Sequence, residues 1–395
     1  MPQSTTSDDA ASTPPPSNGR TASRTASKRK KKEKVKPTFK ENVQFWVKAI
    51  LIIIFLRAFI FEPYRIPSES MEDTLLVRDF LIVSKLHYGP RTPNTIGVPF
   101  TRIYLPGLEF PQTRLPGFSP PERGDVVVFN YPARRDVERG PIAADVPIER
   151  RAPYIKRIVG VPGDTLAVVD KVLTLNLQSV PLGETLKQRW VVFSETRDRP
   201  TEGQLDEMGI FYQRGSDEVT AAGVRAFTVD ATPDGARSLE ALPGIDRVDP
   251  WVLPDSVTFR DFTGPDQLDL IFNPALGWNP DQYGPLQIPG MGTTIEVNEA
   301  TMEVYREVIE QYEGVEVAAQ RGGGFLFNGV PRDAYTFQQD YFFVMGDNRD
   351  NSVDSRWWGL VPESHLVGKA VFTFLSFERW IPPIPRFDRF FRPVP

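Results

Sequence analysis

The chain has 395 residues, 25% of them charged and 40% hydrophobic, enough for two or three domains with a sizeable core. It has no cysteine and only two histidines, His87 and His365, which excludes a disulfide scaffold, a thiol nucleophile and thiolate metal sites and speaks against a His-rich metal centre. Residues 1–40 hold ten Lys/Arg against three Asp/Glu, a net of +7; with −5 for the whole chain, the remainder carries −12, a basic tail on an acidic body rather than the basic folded face of a nucleic-acid binder.

Residues 1–27 are rich in Ser, Thr, Pro and Ala with no hydrophobic period, the composition of a disordered segment. The basic run Lys28-Arg29-Lys30-Lys31-Lys32 follows, and the tail is taken to residue 42. Val43 to Phe61 is strongly apolar, and nineteen residues at helical rise span about 28 Å, close to the hydrocarbon thickness of a bilayer. Lys48 and Arg57 interrupt the stretch, and each can snorkel to an interface. The reading is a transmembrane helix over 43–61; a helix lying in the interface or buried in a core is the alternative. Glu62-Pro63 should end it, since proline disfavours helical backbone in the residue before it. The Lys/Arg cluster predicts a cytoplasmic N-terminus, with everything after residue 62 outside. Phe61-Glu62-Pro63 is no small-residue cleavage site, so an uncleaved signal anchor is expected.

Beyond the anchor the chain reads as β. Phe80-Leu81-Ile82-Val83-Ser84, Asp125 to Phe129 and Tyr154 to Val159 are short apolar strands, the last ended by the turn Val161-Pro162-Gly163-Asp164. Residues 91–120, rich in Pro and Gly, read as a long loop or extended hairpin. The middle differs: Val224 to Val229 reads as a strand, Thr232-Pro233 offers an N-cap and N1 proline for a helix to about Leu242, and Ile245 to Val248 reads as a further strand. Asn298 caps a helix whose Met302, Tyr305, Ile309 and Tyr312 fall at helical spacing and which Gly314 ends. Phe325-Leu326-Phe327 precedes Asn328-Gly329, a type I′ hairpin signal, and Tyr341 to Met345 and Lys369 to Leu375 complete the strands. The pattern predicts a mainly β fold: an antiparallel-sheet core from residues 62–184 and 325–380, an inserted α+β accessory domain at 185–324, and a C-terminal tail at 381–395. His365 reads as an ordinary surface residue, and Trp357-Trp358 as either packed or touching a bilayer interface.

Three short blocks hold the chemistry. Pro67-Ser68-Glu69-Ser70-Met71 follows the anchor closely, and a turn there brings the Ser70 N–H and the Ser68 hydroxyl to one side. Serine is a poor nucleophile without a neighbouring base and donors for the developing oxyanion, and two serines in a turn are ordinarily just solvated. In Tyr154-Ile155-Lys156-Arg157-Ile158-Val159, strand alternation puts Tyr154, Lys156 and Ile158 on one face. If that face is the core, the amine is desolvated and its pKa falls, which suits a base; the alternative is an exposed strand lysine. Gly346-Asp347-Asn348-Arg349-Asp350-Asn351-Ser352-Val353-Asp354-Ser355-Arg356 packs acids, amides and arginines into a loop able to brace itself through Arg–carboxylate pairs. Its Asp-x-Asn spacing lacks the glycine and distal glutamate of a calcium loop, so no metal is expected.

These blocks, in this order after an anchor, resemble the type I signal peptidases, the membrane-bound Ser–Lys endopeptidases of preprotein export. The matching stretches are Glu62 to Met71, Arg123 to Phe129, Tyr154 to Asp164 and Gly346 to Arg356, with nearby strands about 120 residues in all. The resemblance implies Ser70 as nucleophile, Lys156 as general base, and the Ser70 N–H with the Ser68 hydroxyl as oxyanion hole. It further implies that Ser352 orients the Lys156 amine and that Arg157, Asp347, Asp354 and Arg356 brace the site through ion pairs. No cofactor is implied. The implied partners are the lipid bilayer and preprotein signal peptides, bound as an added strand with small residues at the first and third positions before the cut. The implied location is the bacterial cytoplasmic (inner) membrane.

Two positions depart from the family pattern: Asp73 stands where proline is common and Arg78 where glycine is, both close after Ser70. A non-catalytic receptor or scaffold using the insertion is the alternative of another class. A self-cleaving Ser–Lys repressor relative is disfavoured by the anchor and by the lack of a helix-turn-helix pattern before residue 62.

Overall fold

The computed structural model describes residues 38–97, 104–133, 135–136, 140–142, 146–194, 199–220, 224–262 and 274–395. The expected disordered tail up to residue 37, with its basic run, lies outside the described residues, as does the 98–103 part of the expected long loop. The chain forms two units, residues 1–49 and 50–395.

Helix α1 (Phe39–Phe59) has 21 residues, none of them buried. Its length and hydropathy suffice to cross a membrane, and apolar residues all round its surface suit lipid rather than a water-facing stripe. It ends before the expected Glu62-Pro63, because Phe61–Arg65 is already a strand, β1. Proline is tolerated there because β1 is an edge strand. Glu62 also anchors this end: its carboxylate pairs with Arg57 at 2.7 Å and Lys85 at 2.9 Å. Burial would raise the Glu62 pKa, but the two cations hold it below the usual value.

The further elements of the core are β2 (Asp79–Ser84), β3 (Val126–Asn130), β4 (Pro153–Gly160) and β5 (Thr165–Val169). A second group follows: β6 (Gln188–Ser194), α2 (Glu202–Glu207), β7 (Phe211–Tyr212), β8 (Arg225–Ala231), α3 (Pro233–Glu240) and β9 (Ile245–Pro250). The chain then returns through β10 (Tyr283–Gln287), α4 (Glu299–Tyr312), β11 (Tyr341–Met345), β12 (Val361–Pro362) and β13 (Leu366–Trp380). The largest sheet runs β1-β2-β13-β3-β4-β11-β12 and is antiparallel at each pairing. Its central strands are long apolar runs because both faces are covered: all five residues of β3 and of β11 are buried. The expected mainly β architecture with one long apolar N-terminal helix is what the chain adopts.

The segment expected as one insertion, 185–324, divides. Residues 188–250 form a separate antiparallel sheet, β7-β8-β6-β9, with Leu205 of α2 and Leu239 of α3 packed on Val192, Phe227 and Val229. This β-α-β-β-α-β arrangement has its own apolar cluster. β10, by contrast, pairs with β5, and Met302, Tyr305, Val308 and Ile309 of α4 pack against Leu166, Val168 and Phe343. The amphipathic stripe of α4 needed an apolar partner, and the β5 sheet supplied it. Local signals hold closely: Thr232 caps α3 with Pro233 at N1, Asn298 caps α4 reciprocally with Thr301, and Asn328 and Gly329 take φ of 49° and 80° in their hairpin.

His365 is not on the surface but 3% exposed, edge-on to Tyr312. Burial, with Arg151 and Arg91 nearby, pushes its imidazole well below the ordinary value, so it sits neutral in the core. Trp358 is packed, in one cluster with Phe129, Tyr131 and Tyr154.

Candidate active site

The site forms where the turn after β1 meets β4 and the polar loop after β11. Pairing of Phe61–Arg65 with β2 carries the chain out of the helix and into the turn that contains Ser70. That turn is closed behind the serine: Leu75 N donates to Met71 O at 2.7 Å, and Arg78 N to Ile66 O at 3.0 Å. Met71 and Leu75 are buried beneath it with Ile66 and Leu81. The two unusual residues bear on its shape. Asp73 and Arg78 have φ of 72° and 73°, a left-handed conformation that proline cannot adopt and glycine adopts freely. Arg78 therefore keeps the backbone that glycine would take, whereas Asp73 makes a turn different from one built on proline.

β4 supplies the lysine. It lies between β3 and β11, with Val127 opposite Lys156 and Met345 opposite Arg157. Alternation turns Lys156 inward, where the residue is only 3% exposed, and Ser70 is 7% exposed. Lys156 Nζ donates to Ser70 Oγ at 2.6 Å and to the Ile155 carbonyl at 3.0 Å. Ser68 Oγ is 3.4 Å from Ser70 Oγ, so both hydroxyls face one side of the turn. They open on a cleft of about 310 Å³ bounded by Tyr64, Ile66 and Pro67 on one wall and Ala152, Tyr154 and Ile155 on the other. Apolar walls around one hydroxyl–amine pair suit an extended apolar peptide attacked at a carbonyl.

The polar loop braces both. Asn348 N donates to the Ser70 carbonyl at 3.1 Å, and Asn348 Nδ2 to the Glu69 carbonyl at 3.3 Å. Arg157 grips Asp347 bidentately at 2.9 and 2.7 Å. Arg356 does the same to Asp354 at 2.9 and 2.8 Å, and Gly346 N also donates to Asp354 at 3.0 Å. Asp354 is fully buried; desolvation alone would raise its pKa, but the Arg356 guanidinium and these hydrogen bonds hold the carboxyl below the usual range. The loop is thus a rigid frame of charge-assisted bonds.

Ser352 departs from expectation. Its buried Oγ lies near enough to Asp354 to help hold that carboxyl down, and among the described residues no well-aligned hydrogen bond ties it to Lys156. Its side chain lies against Gly346, where an added Cβ would come 2.5 Å from Ser352 Cβ and 2.6 Å from the Ser70 carbonyl oxygen. Gly346→Ala therefore displaces the backbone of Ser70. It is expected to lower kcat by roughly a hundredfold with KM little changed, read by steady-state cleavage of a preprotein peptide; an unaltered kcat would show that the contact does not set the serine.

The sequence pattern missed two contributors. Asp79, fully buried, is held by Arg389 at 2.5 Å, and Arg389 also donates to the Thr74 carbonyl at 3.0 Å, tying the C-terminal segment to the serine's turn. Lys187 reaches the same turn from β6's leading edge. Neither has a local signal, because each acts on residues more than a hundred positions away.

A family model described as signal peptidase, peptidase S26, matches residues 39–222 and 288–375 of the chain. Curated relatives share that description. The chain is 35% identical over 368 residues to signal peptidase I of Pseudomonas aeruginosa, covering 90% of this chain and 79% of the relative. It is 28% identical over 346 residues to signal peptidase I of Buchnera aphidicola, covering 86% and 79%. With that of Haemophilus influenzae the figures are 27% over 360 residues, 87% and 73%.

Proposed function

The chain belongs to the signal peptidase family, peptidase S26, membrane-anchored serine endopeptidases that cleave signal peptides, and from that premise we propose that Ser70 is its nucleophile and Lys156 its general base. The observation that carries this assignment is the 2.6 Å hydrogen bond between Lys156 Nζ and Ser70 Oγ in a desolvated setting. Burial disfavours a charged amine, and only a neutral amine can take the hydroxyl proton.

The preprotein lies in the cleft as an extended strand, its backbone pairing with the strand edges at Tyr64–Pro67 and Pro153–Ile155. Shallow apolar walls there favour small side chains at the first and third positions before the cut. Lys156 takes the Ser70 proton as Oγ attacks the scissile carbonyl. The oxyanion is met by the Ser70 N–H and the Ser68 hydroxyl; among the described residues no acceptor within the chain takes that N–H. Lys156 then passes the proton to the departing amine, leaving an ester on Ser70. Water, deprotonated by Lys156, attacks the ester, Lys156 returns that proton to the departing Ser70 Oγ, and the signal peptide is released as its carboxylate. Helix α1 anchors the protein, with the N-terminus on the cytoplasmic side by the positive-inside rule and the site on the outer side of the bacterial inner membrane. The catalytic core comprises the strands of residues 62–184 and 325–380 together with β10 and α4, with the 188–250 sheet as an accessory body.

A serine-directed acylating inhibitor tests the assignment. Peptide mass mapping of the labelled full-length protein should place the adduct on Ser70 and nowhere else. An adduct on another residue of an active preparation would overturn it, and complete failure to label an inactive one would favour a non-catalytic scaffold.

A further inference from the structure

We propose that Lys187, at the head of the accessory sheet, is a positioning residue that holds the turn after Ser70; the inference rests on Ser70 being the nucleophile. Three observations converge on this side chain. Its side chain is 7% exposed, and its ammonium lies 3.4 Å from Asp73 and 3.8 Å from Glu72, both within three residues of Ser70. Its backbone is clamped to the polar loop: Lys187 N donates to the Asp347 carbonyl at 2.9 Å, and Arg349 N to the Lys187 carbonyl at 2.8 Å. Between those two attachment points stands Asn348, whose N–H holds the Ser70 carbonyl. Residue 187 therefore touches both segments that frame the nucleophile, one through its side chain and one through its backbone.

The turn needs such a cation. Asp73 sits in a left-handed conformation, and its Oδ2 is buried with no hydrogen-bond partner. Glu72 stands next to it, and Glu69 and Asp230 add further negative potential. Burial raises the pKa of both Glu72 and Asp73, and the Lys187 ammonium is the largest charge opposing that rise for each. Without Lys187, two crowded carboxylates would repel each other and seek water, and the turn would open two or three residues from the attacking oxygen. The accessory sheet thereby contributes to catalysis without touching substrate.

The experiment uses the full chain in detergent and reads the rate of Ser70 acylation by the inhibitor, kcat and KM on a preprotein peptide, and the melting temperature. Lys187→Met should lower both the acylation rate and kcat about tenfold or more, with KM within about twofold. Lys187→Arg should keep most of the rate. The triple variant Lys187→Met, Glu72→Gln, Asp73→Asn should recover it, because the orphaned charges are gone. A Lys187→Met rate within twofold of wild type overturns the proposal, as does a loss that tracks the melting temperature and that neither Arg nor the triple variant restores. If wild-type Ser70 does not label at all, the nucleophile assignment fails instead.

Discussion

Ser70→Ala and Lys156→Met are each expected to lower kcat for preprotein cleavage by on the order of 10⁴-fold or more, and the double variant to be no worse than either single one. The reason is that, on the proposed assignment, the pair acts as one device. The hydroxyl loses its proton only to the amine 2.6 Å away, and the amine has no other proton to move in the acylation step. Removing either partner leaves only binding and oxyanion stabilisation, so a second deletion has little left to abolish. Losses that multiply in the double variant would mean that the two residues contribute independently and that the dyad is wrongly drawn. The assay is single-turnover cleavage of a purified preprotein, with circular dichroism to show that each variant is folded. Wild-type activity should rise with pH as the base becomes neutral, because protonated Lys156 cannot accept the serine proton.

Arg356→Ala is expected to destabilise the protein by about 3–5 kcal/mol, because it strands the fully buried Asp354 carboxylate. Asp354 also accepts from the Gly346 N–H, so the loss is felt where the polar loop meets the serine's turn. Arg356→Met with Asp354→Asn should cost less than Arg356→Ala alone, since no unpaired charge remains in the core. Chemical denaturation followed by tryptophan fluorescence measures both, and equal stability of Arg356→Ala and wild type would refute the argument. The pH dependence has a definite sign. The folded Asp354 pKa is depressed, so its contribution is fully present above the unfolded value, about 3.9, and is lost as pH falls through the folded one. Asp354→Asn should therefore flatten the acid limb of stability below about pH 4.

Much of the site was legible because its parts are compact blocks. The alternation in Tyr154 to Val159 places Lys156 inward on any half-buried strand, and the acid–arginine spacing of 346–356 already contains the Asp354–Arg356 pair. Caps such as Thr232 and Asn298 are local chemistry and could be read directly. Where local rules misled, a distant partner had intervened. Proline at 63 predicts a helix end, yet pairing with β2 and the Arg57–Glu62–Lys85 bridge had already drawn the chain into a strand. His365 has the neighbourhood of a surface loop but is covered by Tyr312 from α4. Ser352 was expected on Lys156, but its Oγ faces Asp354 and packs against Gly346.

By itself the sequence determined the apolar anchor, the β character of the core, and the three blocks that carry Ser70, the Lys156 amine and the bracing ions. All of these depend on periodicity, composition or spacing within about a dozen residues. Only the tertiary structure decided which side chains meet. It set the 2.6 Å approach of Ser70 and Lys156 across 86 positions, the reach of Lys187 back to Asp73, and the split of 185–324 between an accessory sheet and the main core. Such contacts follow from strand register and from the burial of one apolar face on another, and neither is encoded in the neighbours of a single residue.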